Sequence, residues 1–389
     1  MAEALAALPD VAFPGVPIAE RGPEPVAVQG LPSGVPAFLG PLAQGPVGRP
    51  VRVTSLAVFL SQFGALTSDT ALAVAQFFAQ GGTAAWVVNQ LASVDGPSAV
   101  DQLMAGLSTL DAAENYDLVH LPELRALAPS VGAEALGLVA DHCDRRGLFL
   151  IADLPRDVAD IPAALQWARG LTGPRYANVA LYFPDLMVPD PTRPEGRRRV
   201  GPGAAVAGLY ATNDRNAGLW HTPAGTDFPF PHSLDLSARL GTSDMAALTG
   251  AGINALAVFP RYGAVPWGGR TLAGAGSEWR QIALRRLALH VETSLARGWA
   301  WAAVEANGAD LWKRLTTTGT AFLEGLRQQG AFTGTRPDQG YFLRCDLSTT
   351  TQEDRDRGLC RAVVGIAPIR PAEFLLMTIT LRTADAALA

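Results

Sequence analysis

Lysine is almost absent from this 389-residue chain: of its 31 basic side chains, all but Lys313 are arginine. A Walker-type phosphate loop or a Schiff-base enzyme needs a lysine. Lys313 sits in a helical pattern with no glycine-rich loop before it, so neither chemistry is expected. Cysteine is scarce too. Cys143, Cys345 and Cys360 form no CxxC and leave one sulfur over in any disulfide scheme, so reduced thiols in a cytoplasmic setting are expected. The five histidines show no HxxxH or HxxH spacing, which removes support for a zinc site, and no GxSxG elbow occurs. No apolar run approaches the roughly 18 residues that a membrane span requires. The N-terminus MAEALAALPD carries Glu3 and no positive region, so a soluble protein without a signal peptide is expected. A net charge of −5 gives no global pull toward nucleic acid or an anionic membrane.

What is present is apolar residue: 48% of the chain, ample for real cores, over a length that suggests two or three domains. Residues 1–34 are proline-rich without sustained periodicity and read as an extended N-terminal arm, with a short apolar alternation at Pro25 to Val28 that could serve as a strand. Residues 35–94 begin a body, with GVPAFLG and TAAWVVNQ as buried strands and helices entered at Ser55 and Thr70. Residues 95–200 alternate helices with the apolar strands DLVHL, GLFLIA and NVALYF, the pattern of an inserted α/β module covered on both faces. Residues 201–373 return to the body, with helices near Glu278 to Arg297 and Leu311 to Gln328 and an expected strand at GWAWAAVE. The fold class is therefore α/β (α+β), a mixed sheet with packed helices.

The end of the chain holds three strand-like runs, Tyr341 to Cys345, Leu359 to Ile366 and Phe374 to Arg382. The last alternates Phe374, Leu376, Thr378, Thr380 and Arg382 against Leu375, Met377, Ile379 and Leu381. A strand so near a chain end must find a sheet at home or complete one in a neighbour, because its unpaired backbone groups are a pairing template. Residues 374–389 therefore read as a C-terminal strand or arm.

Residues with chemical potential are few. His120, Asp153 and Asp185 fall at or just past the C-terminal ends of the three module strands, where open α/β sheets build active sites. A soluble α/β hydrolase using these three is the alternative reading, set against the frequency with which polar residues simply end strands. GPGAAVAG lacks the third glycine of GxGxxG and reads as a helix entry. Arg197, Arg198 and Arg199 could grip an acidic surface or stand in a solvated loop. Trp267, Trp279, Trp299 and Trp301 read as core or interface anchors. No catalytic, cofactor or metal site emerges, and the extended ends suggest assembly.

From Gly252 onward the motifs GINALAVFPRYGAVPWGGRTL, EWRQIALRRL, CDLSTTTQED and VVGIAPIRPAEF follow one another. With them the chain resembles the C-terminal domain of contractile phage-tail sheath proteins. Weaker likeness runs through AAVAGLYATNDRNAGLWHTPAGT, PSGVPAFLGPLAQGP and FFAQGGTAAWVV. The resemblance implies a non-enzymatic subunit without cofactor, stacked as rings, usually sixfold, in a helical sleeve around an inner tube protein. Baseplate and terminator or cap proteins are the further partners, and neither nucleic-acid binding nor membrane insertion is implied. Assembly in the cytoplasm as part of a phage-like particle that can be released follows from the same resemblance. Arms that add strands to neighbours' sheets are implied as well. The residues assigned to them are Val16, Val26 and Val28 at one end and Phe374, Leu376, Thr378, Thr380 and Arg382 at the other, with Arg197, Arg198 and Arg199 for a tube or neighbour contact.

Overall fold

A computed structural model describes residues 26–90, 97–190, 193–369 and 375–384. Val16 and Phe374 lie outside the described residues. The first half runs β1 (Pro36–Gly40), β2 (Pro50–Val53), α1 (Leu56–Phe63), α2 (Asp69–Ala79), β3 (Ala85–Asn89), α3 (Pro97–Thr109) and β4 (Leu118–His120). Then come α4 (Pro129–Arg146), β5 (Phe149–Asp153), α5 (Ile161–Ala168), β6 (Val179–Phe183), β7 (Leu186–Pro189) and β8 (Arg197–Val200). The second half continues with α6 (Gly203–Asn216), β9 (Asp235–Leu236), α7 (Thr242–Gly250), β10 (Ile253–Phe259), β11 (Gly263–Pro266) and α8 (Ile282–Gly298). It closes with α9 (Ala309–Gln328), α10 (Pro337–Gly340), β12 (Tyr341–Arg344), α11 (Gln352–Asp356), β13 (Leu359–Ile366) and β14 (Leu375–Arg382).

Among the described residues the strands form three sheets. The largest has eight strands in the order β11-β10-β6-β5-β4-β1-β3-β2. Its interior pairings are parallel, and only the outermost pairs, β2 with β3 and β10 with β11, are antiparallel. Parallel strands need helical crossovers, which cover both faces, and this is why the strands are apolar at every position rather than alternately. Leu150 and Ala152 of β5 face the core built by α3, α4, α5 and α7, while Phe149 and Ile151 face the core built by α1, α2 and α6. The strands assigned to an inserted module, β4 to β6, lie between β1 and β10, so the divisions at 95 and 200 do not separate one sheet from another.

Local choices fix the details. Ser55 and Ser68 cap α1 and α2 by accepting from Val58 and Ala71. Helix α6 is buried on nearly all sides, and at Gly208 a Cβ would stand 2.5 Å from Gln80 Cβ and 2.7 Å from the Phe77 carbonyl of α2, so only glycine permits this helix contact. GWAWAAVE, expected as a strand, is instead a short 3₁₀ turn over Ala300–Val304. The reason is Trp299: fully buried at the end of α8, its indole donates to Thr318 Oγ1 at 3.0 Å and fills the space left by Gly319 on α9. The chain must then turn back toward α9 instead of running on as a strand. Likewise no strand forms over residues 26–35; this segment crosses the body with Val28 buried against Gly298.

Candidate assembly surface at the C-terminal sheet

Helices α8 and α9 carry long apolar stripes, and these meet under a separate three-stranded antiparallel sheet, β12-β13-β14. Leu287, Val291 and Leu295 of α8 and Leu315, Phe322 and Leu323 of α9 form one core with Val364, Ile366, Met377 and Ile379. Strand β14 alternates without exception: Leu375, Met377, Ile379 and Leu381 are buried, whereas Leu376, Thr378, Thr380 and Arg382 are exposed. It pairs with β13 over eight residues, from Leu359 opposite Arg382 to Ile366 opposite Leu375. Among the described residues its other edge carries no strand.

The outward face of this sheet is partly apolar. Leu376 is 61% exposed and Phe342 37%, and both stand opposite Gly365, whose missing side chain leaves room for the Phe342 ring. A long, regular edge strand is a pairing template, and Leu376 adds an exposed apolar side chain to an outer face otherwise made by Thr378, Thr380 and Arg382. Every outward residue of β14 that the sequence assigned to the arm, Leu376, Thr378, Thr380 and Arg382, lies on this face.

At the other end, Val26 is exposed and Val28 is buried in the chain's own core. The segment after them is latched to the body. Leu31 N–H donates to Ser294 Oγ at 3.0 Å and Val35 N–H to Asp117 Oδ1 at 2.8 Å. Asp117 is in turn held by Arg286 at 2.9 Å, which also bridges Asp214 at 2.6 Å and lies over the Tyr210 ring at 4.7 Å. Burial pushes the Asp117 carboxyl upward against the pull of Arg286. His290 stands beside Gly30 and Phe322, and burial together with Arg286 lowers its pKa to about 4. Asp117, Asp214 and His290 escaped the sequence reading, because nothing in their local spacing marks a contact made across the fold.

His120, Asp153 and Asp185 are brought near one another but are occupied. His120 Nδ1 meets the Ile151 carbonyl at 2.8 Å, and Nε2 lies 3.7 Å from Asp153. Asp153 accepts the Gly203 N–H at 2.8 Å, fixing the start of α6. Asp185 accepts from Arg125 and Arg199, each at 2.5 Å, and burial raises its pKa despite both arginines. The cavity lined by His120 and Asp153 is about 10 Å³, room for about one water and for no substrate, and Asp185 is not part of its lining. Of the three arginines on β8, Arg199 is thus committed to Asp185, Arg198 pairs with Asp69 at 3.0 Å, and Arg197 is exposed.

The body just described, from the approach to α8 through β14, coincides with a match to the phage tail sheath C-terminal domain over residues 275–382. Over these residues the chain carries a phage tail sheath C-terminal domain. Solved structures are similar over nearly the whole chain. It is 26% identical to the subunit of the anti-feeding prophage (AFP) helical sheath in its contracted state, with a TM-score of 0.74, covering 95% of this chain and 99% of that one. A chain of the AFP baseplate, 6-fold symmetrised, matches at 26% identity and a TM-score of 0.72, covering 96% of this chain and 100% of that one. The sheath complex of PVC, an extracellular contractile injection system, in its contracted state shares the fold, with a TM-score of 0.71 and 23% identity over 98% of this chain and 100% of that one. No curated protein sequence matches the chain.

Proposed function

We infer that this chain is a structural subunit that polymerises into a helical contractile sleeve and works by moving, not by catalysis. The observation that carries the reading is the whole-length likeness to the contracted AFP sheath. Nothing favours the hydrolase alternative, since His120, Asp153 and Asp185 serve the fold. In this reading the subunits stack as rings, sixfold in the sleeve, around an inner tube, with a baseplate at one end and a terminator or cap at the other. Assembly takes place in the cytoplasm and the finished particle acts outside it.

The C-terminal sheet supplies the joint. Its four inward β14 side chains contribute about 1.5–3 kcal/mol each when fully buried, so β14 can leave its own β13 only for an equivalent seat in a neighbour. Exchange of identical elements between copies meets that condition; addition of a neighbour's N-terminal arm to the open edge of β14 is the second half of the joint. Such contacts run head to tail and generate a helical filament rather than a closed pair. Contraction then turns the bodies about these strands. Arg197 is the member of its triplet placed to touch a tube or neighbour. Negative-stain microscopy of the purified protein tests the assignment: tubes or stacked rings are expected, and a monodisperse particle at all concentrations would overturn it.

A further inference from the structure

Two of the three cysteines meet, at the hinge of the C-terminal sheet. Cys345 follows the last residue of β12, Cys360 is the second residue of β13, and both side chains point into the core under the sheet. Their sulfurs are 3.6 Å apart. The backbone on each side of Cys360 is held in place. Asn307 donates to the Leu359 carbonyl at 2.9 Å and is itself held by the Trp312 indole, while the buried Thr350 hydroxyl accepts the Arg361 N–H at 2.9 Å. Cys345 is 7% exposed and Cys360 is fully buried, so small reagents reach the pair on the Cys345 side. Cys143 sits in a different core.

We propose that Cys345 and Cys360 form a dithiol that a peroxide converts to an intrachain disulfide, which fastens the acidic turn 346–358 to the central strand of the sheet. The positions suit the bond: the sulfurs, already 3.6 Å apart, need only close to the covalent separation of about 2.05 Å. The Cys345 thiolate, on the side that small reagents reach, attacks the peroxide, breaking the O–O bond to give a sulfenic acid and hydroxide. Cys360 sulfur, in contact with it, then attacks the sulfenic sulfur and expels hydroxide, which leaves with the thiol proton as water. In sum, two thiols and one hydrogen peroxide give one disulfide and two waters. The link closes a loop of roughly 15 residues beside the strand that receives β14, so an oxidised sheath carries a stiffer joint.

The test uses the full-length protein with one equivalent of hydrogen peroxide, followed by intact mass and a non-reducing tryptic map. The expected product is lighter by two hydrogen atoms. It yields Cys345–Arg355 joined to Gly358–Arg361, keeps Cys143 as a free thiol, and melts about 5 °C higher than the reduced form. Cys143→Ser should oxidise like the parent and Cys345→Ser should not. Three alkylatable thiols after treatment, or oxidation that falls on Cys143 as readily, would overturn the proposal. The readout is made on the subunit itself, so it fails or succeeds independently of whether tubes form.

Discussion

The two large sheets of this protein follow opposite rules. In the eight-stranded sheet every interior strand is parallel, both faces are covered by helices and the edges end in short antiparallel pairs. In the C-terminal three-stranded sheet one face is covered by α8 and α9, the other is exposed, and among the described residues no strand pairs with the outer edge of β14. The first arrangement is buried on both faces and ends in edge strands of four residues each, β11 and β2; the second is covered on one face only. In the proposed sleeve, the difference separates a body that stays folded while it moves from a joint that connects it to other bodies.

Substitutions in the two sheets should therefore act on different quantities. The largest effect is expected from deleting residues 374–389: the eight-stranded body keeps its cooperative unfolding transition while sleeve formation is lost, as judged by microscopy beside thermal melting. Deleting residues 1–30 should abolish polymerisation in the same way. Normal sleeves from either truncation would break the comparison at that end. Next comes Asp214→Asn, which leaves the buried Arg286 short of a partner. A loss of about 3 kcal/mol is expected, read by denaturant unfolding, with assembly of the molecules that remain folded unchanged. Leu376→Asp reverses the pattern: stability stays within about 0.5 kcal/mol, as for an exposed residue, whereas polymerisation measured by sedimentation falls sharply.

Much of this division is legible in the sequence. The uninterrupted apolar strands announced a doubly covered sheet, and the alternation from Leu375 to Arg382 announced a strand with one buried face. The position of the module strands was not legible, because DLVHL, GLFLIA and NVALYF say that they are buried but not which strands flank them. Their place between β1 and β10 is a property of the closed sheet. GWAWAAVE has the composition of a strand and lost it to a tertiary contact, the seat of Trp299 against Gly319. The partners of Arg198 and Arg199, Asp69 and Asp185, were equally hidden, since a charge triplet looks the same whether it meets solvent or a buried carboxylate.

A pH effect sharpens the boundary between the two regions, where His290 packs beside Gly30 of the N-terminal segment and Phe322 of α9. Its folded pKa of about 4 lies below its ordinary value of 6.5, so between those limits the unfolded chain binds the proton that the folded chain refuses. Stability should fall as pH drops from about 6.5 toward about 4 and recover as pH rises. Arg286 and Asp214 are the charged groups that face this histidine. His290→Gln should flatten this part of the profile in pH-dependent melting; an unchanged slope would assign it to other groups.

The account turns on whether the C-terminal sheet is shared. Electron cryo-microscopy of tubes assembled from the full-length protein answers this directly. A strand from another copy, hydrogen-bonded into the β12-β13-β14 sheet of each subunit, is the predicted result. Tubes in which every such sheet consists solely of its own chain, with the outer edge of β14 facing solvent, would contradict it.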